Sequence, residues 1–414
     1  MFDKLYVKPA CLARHLSAPY AEERSRYLLH CAKQGYTKAT LLLKARELLW
    51  VARKLSVYGG LRVTLNQIEA VAGDWAEREK MCGQRLDGPW TRVRFVQVAR
   101  PWVRFLGHFD ADLEPPPFGD RLEAYAGWME RDRGLAANTL KRTREALIRF
   151  LRWYGQRQQA FEAVRLEDID AYLAEGCAAG WSRRYARNVA DNLRRFYRFA
   201  GRKGWCSATL ADAIRGPRVY AHDGLPLGPS WPEVQRLLAS ANTGKPADIR
   251  DQAILILFAV YGLRAGEVGG LTLDDFDWEQ DRLYVAHAKG RGRQVYPLLP
   301  SLGNAIARYL KEVRSASVRR EVFLTLLPPF RPLSRGALYS LTRLRLTRLG
   351  IRSAHLGPHA LRHACATRLA SEGLSLKVIG DHLGHRSVDV TRIYAKVDLS
   401  GLREVAAFDL GDLP

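Results

Sequence analysis

Residues 357–396, GPHALRHACATRLASEGLSLKVIGDHLGHRSVDVTRIYAK, decide how the rest of the chain is read. Gly357-Pro358 signals a helix start, because proline fixes φ and lacks only an N–H that the first turn leaves unpartnered anyway. Ala360, Leu361, Ala364, Thr367, Arg368 and Leu369 continue as helix, which sets His359 and Arg362 one turn apart on one face. Gly373 breaks that helix. Leu376, Val378 and Ile379 start the next, Gly384 ends it just before His385, and Tyr394 follows on the segment Val390-Thr391-Arg392-Ile393. Short helices and glycine stops thus gather two imidazoles, a guanidinium and a phenol.

Three chemistries can use that set. A metal site draws on His359 and His363, four apart, and His382 and His385, three apart. Zinc hydrolases on helices add a carboxylate, as in H-E-x-x-H, and the stretch has no such Glu. A packing role suits a lone histidine better than five between His355 and His385 with an arginine among them. Phosphoryl transfer to a tyrosine uses every group: Arg and His suit the non-bridging oxygens of a phosphodiester, and Tyr can attack phosphorus to form a covalent ester.

H-A-L-R-H, then L-G-H-R-S, then T-R-I-Y-A-K-V, in that order and spacing, resemble the C-terminal signature of the tyrosine recombinase (phage integrase) family. The resemblance implies two further motifs upstream, and both are present. ILILFAVYGLRAGEVGGLTLDDF holds Arg264 followed by Glu267, similar to the family's first arginine motif. LYVAHAKGRGRQVYPL reads as a β-hairpin with Lys289 at its turn, similar to the family's lysine hairpin. The resemblance is strong over about 228–398 and moderate over 118–205, and it leaves residues 1–115 unaccounted for.

The whole chain agrees with a polyanion partner. Its 414 residues carry 65 Lys plus Arg against 43 Asp plus Glu, a net charge of +22, which points to nucleic acid. No long basic amphipathic helix argues for a membrane surface instead. The N-terminus, MFDKLYVKPACLARHL, has no signal-peptide core. The longest apolar run, Ala253 to Leu263, is far short of the ~20 residues that span a bilayer. Flanked by Asp251 and Arg264, it reads as a buried helix leading to a polar site. Six scattered cysteines without a C-x-x-C pair indicate a reduced compartment and no structural zinc. The expected location is the cytoplasm of a prokaryote, in association with the nucleoid.

The expected fold is mainly α: two helical DNA-binding domains, then a mixed catalytic domain that is mostly helix with a small antiparallel β-sheet. Residues 118–215 form the second helical domain. Leu140, Leu147, Leu151 and Tyr154 line one helix face, Leu166-Glu167-Asp168-Ile169 opens another helix, and a third begins near Ser182. Lys141, Arg142, Arg183, Arg184, Arg187 and Arg194 are its candidate phosphate contacts, because the third helix carries almost no acids. Residues 1–115 read as a diverged copy of the same unit. Gly35–Thr40 matches Gly134–Thr139, Leu65–Ile68 matches Leu166–Ile169, and Arg100–Gly107 matches Arg194–Gly201. Pro115-Pro116-Pro117 is a stiff linker between them. A second linker spans 216–230, and the catalytic domain runs over 231–398. Thr272–Asp277, Arg282–His287 and Arg293–Leu299 are its expected strands, with Gly290 and Gly292 in the turn. A helix over 334–349 adds Arg343 and Arg345 as candidate DNA contacts. The tail, 399–414, carries Leu402, Val405 and Phe408 at helical spacing for contact with another protomer.

The resemblance also implies roles. Tyr394 is the nucleophile and His359 its base. Arg264 and Arg362 clamp the non-bridging oxygens, Lys289 protonates the leaving 5′ oxygen, and His385 donates to the phosphate or orients the site. Glu267 braces the site, and His355, His363 and His382 are structural. No cofactor or metal is implied. The partners implied are double-stranded DNA carrying a recombination site, a homotetramer on two such sites exchanging strands through a Holliday junction, and accessory recombinases or DNA-bending proteins. Two alternatives share the fold: a relative that cuts and rejoins without exchange, such as a type IB topoisomerase or telomere resolvase, and a DNA-binding protein without catalysis.

Overall fold

The computed structural model describes residues 1–56, 63–81, 88–107, 109–110, 116–135, 137–219, 228–286 and 292–384, the side chains of 75–81, 88–91, 109–110 and 138 excepted. It has two compact units, one of residues 1–63, 68–108 and 222–414, the other of 64–67 and 109–221.

The first unit opens with α1 (Phe2–Leu5), α2 (Pro9–Leu16), α3 (Ala21–Lys33), α4 (Lys38–Leu55), α5 (Leu65–Met81) and α6 (Gly88–Phe105). Thr37 caps α4 by accepting from the Thr40 N–H. These helices group with the C-terminal region, where the sequence suggested a separate unit. Gly35 shows why: its φ is +87°, and a Cβ there would meet the Phe330 ring at 3.3 Å.

The second unit holds α7 (Gly119–Arg131), α8 (Ala137–Gly155), α9 (Leu166–Ala178), α10 (Arg183–Arg202) and the short α11 (Leu210–Ala213). Leu147, Phe150, Leu151 and Tyr154 of α8 meet Val189, Leu193, Phe196 and Tyr197 of α10 in one aromatic-rich core. The α3–α6 set buries matching positions at one constant spacing within each helix. Leu48, Val51, Ala52 and Leu55 answer to those four positions of α8, and Phe95, Ala99, Trp102 and Val103 to those of α10. Ile68 and Ala72 answer to Ile169 and Leu173. The residue before the first helix is left-handed in both sets, Tyr20 at φ 56° and Phe118 at φ 60°. One ring pair repeats almost unchanged: Tyr27–Phe105 at 5.3 Å and 55°, Tyr125–Phe199 at 5.4 Å and 54°.

The C-terminal region builds around α13 (Pro246–Ala259), preceded by α12 (Trp231–Ser240), whose Ser230–Glu233 capping box starts it. Ala253 to Ala259 are all buried, as the apolar run required. After α14 (Ala265–Gly270), strands β1 (Phe276–Asp277), β2 (Arg282–Ala286) and β3 (Arg293–Pro297) form an antiparallel sheet in that order. Leu283 faces Tyr296 across β2 and β3. The first expected strand is shorter than the sequence suggested. Thr272 caps a 3₁₀ turn, Leu273–Asp275, with both its N–H and its hydroxyl 2.8 Å from the Asp275 carboxylate. Then follow α15 (Pro300–Glu312), α16 (Arg335–Arg348), α17 (Pro358–Ser371) and α18 (Leu376–His382). Gly373 and Gly384 close α17 and α18 at φ 78° and 60°, as the glycine stops implied.

Arg345 does not lie where a DNA contact must. Its guanidinium donates to Asp248 at 2.6 Å and to Asp251 at 2.7 and 2.9 Å, and Asp251 is buried and also held by Arg250. It is an internal ion-pair network that ties α16 to α13. Arg343, two residues away on the same helix, is exposed. Arg345→Ala leaves Asp251 to Arg250 and Asp248 to the Thr243 hydroxyl, and should lower stability by about 3 kcal/mol through loss of the shared cation. Arg343→Ala should change it by less than about 0.5 kcal/mol. Urea midpoints of the two variants check this, and equal shifts would refute the assignment.

Candidate active site

Arg264 is the N-cap residue of α14. Glu267 accepts its backbone N–H at 2.7 Å and its Nη1 at 2.9 Å, and the Glu267 side chain is buried. A carboxylate one turn on therefore fixes both ends of the arginine. Arg264 Nη2 reaches across to the Gly384 carbonyl at 3.2 Å.

Arg362 sits in the first half of α17 and is 5% exposed. A buried cation needs partners, and two carbonyls supply them: Gly262 O accepts Nη1 at 2.5 Å and Leu383 O accepts Nη2 at 2.6 Å. Gly262 is left-handed at φ +62°, and a Cβ there would lie 2.5 Å from Leu383. Only glycine lets the turn between α13 and Arg264 pass that close to the end of α18. The two arginines, 98 positions apart in the sequence, thus rest on consecutive carbonyls just ahead of His385.

His359 lies one turn before Arg362 and keeps exposed surface. Neighbouring chain screens the ring from water and lowers its pKa, and the charges of Arg362, Arg264 and His355 act the same way. It is therefore neutral near pH 7 and able to accept a proton. Burial, with His359 and His355 nearby, lowers His363 to about 4. His382 is also lowered by burial, and its ring meets Tyr296 edge-on at 5.5 Å. Cys365 donates to Val260 O at 3.2 Å, and burial pushes its thiol up to about 12.

The structure therefore brings Arg264, Glu267, His359 and Arg362 together. Lys289, His385 and Tyr394, and the tail 399–414, lie outside the described residues. Of the candidate DNA contacts, Lys141, Arg142, Arg183, Arg184 and Arg187 are exposed. Arg142 lines a groove of about 510 Å³ with Arg149, Tyr185, Asn188 and Arg195. Arg194 differs from its neighbours: its guanidinium donates to Ile214 O at 2.7 and 3.0 Å and to Asp191 at 2.8 Å, so it fastens α10 to the segment after α11. The sequence reading passed over Gln294 and Tyr296. Gln294 donates to Asp381 O at 2.9 Å and to His382 O at 3.3 Å, and Tyr296 donates to His382 O at 2.6 Å. Their i, i+2 spacing in RQVYP, which puts both on one strand face, was the available signal.

The phage integrase family matches residues 231–400, and the phage integrase N-terminal SAM-like domain matches residues 122–204. The protein y4rA of Sinorhizobium fredii, which bears an integrase/recombinase name, is 33% identical over 72% of this chain and 72% of its own. Tyrosine recombinase XerD of Shewanella oneidensis is 30% identical over 69% of this chain and 94% of its own. Among solved structures, the XerH site-specific recombinase bound to palindromic difH substrate, a post-cleavage complex, has a TM-score of 0.55 at 16% identity. That match covers 84% of this chain and 97% of XerH, and it shows a shared fold.

The histidines also set an acid dependence of stability. His359, His363, His382 and, near the N-terminus, His15 all have folded pKa values below the ordinary 6.5. Below pH 6.5 the unfolded chain binds protons that the folded chain refuses, so stability must fall as pH drops from there towards about 4. Urea midpoints should decline between pH 7.5 and 5.5, before carboxylates titrate, and His363→Gln should reduce the slope. A flat midpoint across that window would show that these rings stay hydrated.

Proposed function

We propose that this chain, which belongs to the phage integrase family of tyrosine recombinases, cuts and rejoins double-stranded DNA through Tyr394. It is a site-specific tyrosine recombinase. The observation that carries the mechanism is the arginine pair: Arg264 and Arg362 are seated on the carbonyls of Gly384 and Leu383, the two residues that precede His385 in the sequence.

In the first step the Tyr394 oxygen attacks phosphorus and the bond to the 5′ oxygen breaks. A 3′-phosphotyrosine forms and a 5′ hydroxyl leaves. A free phenol titrates near ~10 and is a weak nucleophile at neutral pH, so the neutral His359 takes its proton. Arg264 and Arg362 stabilise charge on the non-bridging oxygens, a contribution of the order of ~10²–10³ in rate for each donor. Lys289 gives the leaving oxygen its proton, since an ammonium releases one more readily than a guanidinium. His385 donates to the phosphate, and Glu267 holds Arg264. The ester conserves the energy of the broken bond, so a 5′ hydroxyl from the second duplex reverses the step without ATP. Four protomers on two sites would exchange strands through a Holliday junction, with accessory recombinases or DNA-bending proteins as further partners. The work is nucleoid work in a prokaryotic cytoplasm. Among the described residues no helix is long and apolar enough to cross a membrane.

The matched burial of α3–α6 and α7–α10 supports reading residues 1–115 as a second, diverged copy of the helical DNA-binding unit. The two copies are not equivalent in charge. Lys141, Arg142, Arg149 and Arg187 correspond in position to Leu42, Leu43, Trp50 and Val93, of which the last three are exposed. The copy at 118–215 therefore supplies the main grip, and the copy at 1–115 touches DNA through other exposed cations, Lys38, Arg53 and Arg104.

Tyr394→Phe should abolish covalent protein–DNA adducts on a nicked suicide substrate while DNA binding stays nearly intact. An adduct that persists would sink the assignment of the nucleophile. Removing residues 1–115 should shorten the nuclease footprint at its outer edge and flatten the salt dependence of binding, with cleavage of a pre-nicked minimal site preserved. An unchanged footprint and slope would mean that this unit contacts protein instead.

A further inference from the structure

An α-helix ends with carbonyls that lack intrahelical partners and with partial negative charge. At the end of α18 four consecutive carbonyls are each satisfied by a side chain from elsewhere. Gln294 donates to Asp381 O and His382 O, Tyr296 to His382 O, Arg362 to Leu383 O and Arg264 to Gly384 O. Two of the donors are the arginines that the proposed reaction needs. The other two come from β3.

Those two are themselves held firmly. Tyr296 is 4% exposed, and its ring packs against His382 and, at 5.8 Å, edge-on against Tyr261. The Tyr261 hydroxyl donates to Pro297 O and accepts the Leu299 N–H, both at 2.9 Å, and so fastens the end of β3. The strand cannot shift along its axis without breaking this set. It therefore gives the helix end a fixed reference, and the next two carbonyls along that helix end orient Leu383–Arg362 and Gly384–Arg264.

We propose that Tyr296 and Gln294 are positioning residues for strand cleavage: by anchoring the end of α18 to β3 they set the direction of the Arg362 and Arg264 guanidiniums. The proposal rests on the reading of those arginines as phosphate clamps. A guanidinium that follows a displaced carbonyl is displaced from the phosphate as well, and small misplacements of a charge-stabilising group are costly.

The test uses the full chain and compares wild type with Tyr296→Phe and Gln294→Ala. Equilibrium binding to site DNA and single-turnover formation of the covalent adduct are measured separately. Tyr296→Phe should slow adduct formation about 10–100-fold, and Gln294→Ala should slow it less. Binding should change by no more than about 2-fold for either. The same rates are then taken on DNA with a neutral methylphosphonate at the scissile position. That phosphorus carries less charge for the arginines to hold, so the Tyr296→Phe penalty should shrink there by about 10-fold. A general loosening of the fold would slow both substrates equally. Equal penalties, or wild-type rates in both variants, would overturn the proposal. Gln294→Ala leaves the buried ring in place, so the comparison survives if Tyr296→Phe folds poorly. If the wild-type chain forms no adduct at all, the phosphotyrosine reading fails first, and the inference falls with it.

Discussion

The rest of the site depends on the burial of one positive charge. A guanidinium taken out of water must be met by acceptors, and Arg362 meets the carbonyls of Gly262 and Leu383. Each carbonyl imposes its own requirement. Gly262 must be glycine because its left-handed turn passes within contact of Leu383 and Cys365. Leu383 lies at a helix end, where carbonyls are left without intrahelical partners. The turn after α13, the start of α17 and the end of α18 are drawn to one point, and Arg264 is delivered beside it as the cap of α14.

Much of this was legible in the sequence because it is local. Pro358 starts α17, Gly373 and Gly384 stop two helices at positive φ, and Glu267 lies one turn from Arg264, so motif spacing and helical geometry sufficed. What was not legible is what depends on distant partners. Arg345 and exposed Arg343 share Leu344 as a neighbour, and SLTRLRLTRL alone names no partner for either. The difference is supplied by Asp248 and Asp251 on α13. Arg194 likewise looks like one more cation in a basic helix until Ile214 O and Asp191 take up its donors. Tyr296 carries no signal of its role in the sequence, since its hydroxyl's partner lies on a helix that follows much later in the chain. The start of the first strand was overcalled because Thr272 and Asp275 favour a capped turn over an extended backbone.

The two helical units make a similar point about charge and fold. Matching buried positions and a matching tyrosine–phenylalanine pair occur in both, so the two share one packing pattern. Their outer faces differ: the cations of one unit stand where the other has Leu42, Leu43 and Trp50. The buried positions therefore show the likeness of the two sets more clearly than their arginine counts do.

We propose that Arg264, Arg362 and His359 act with Tyr394 on a DNA phosphate. The most direct measurement is mass spectrometry of the trapped adduct. The full chain is incubated with nicked duplex carrying its recombination site, digested with trypsin and nuclease, and the nucleotide-bearing peptide is sequenced. The account predicts a 3′-linked nucleotide on the peptide Ile393-Tyr394-Ala395-Lys396, with the mass located on Tyr394. A nucleotide carried by any other residue, or strand cleavage without a covalent peptide, would contradict it.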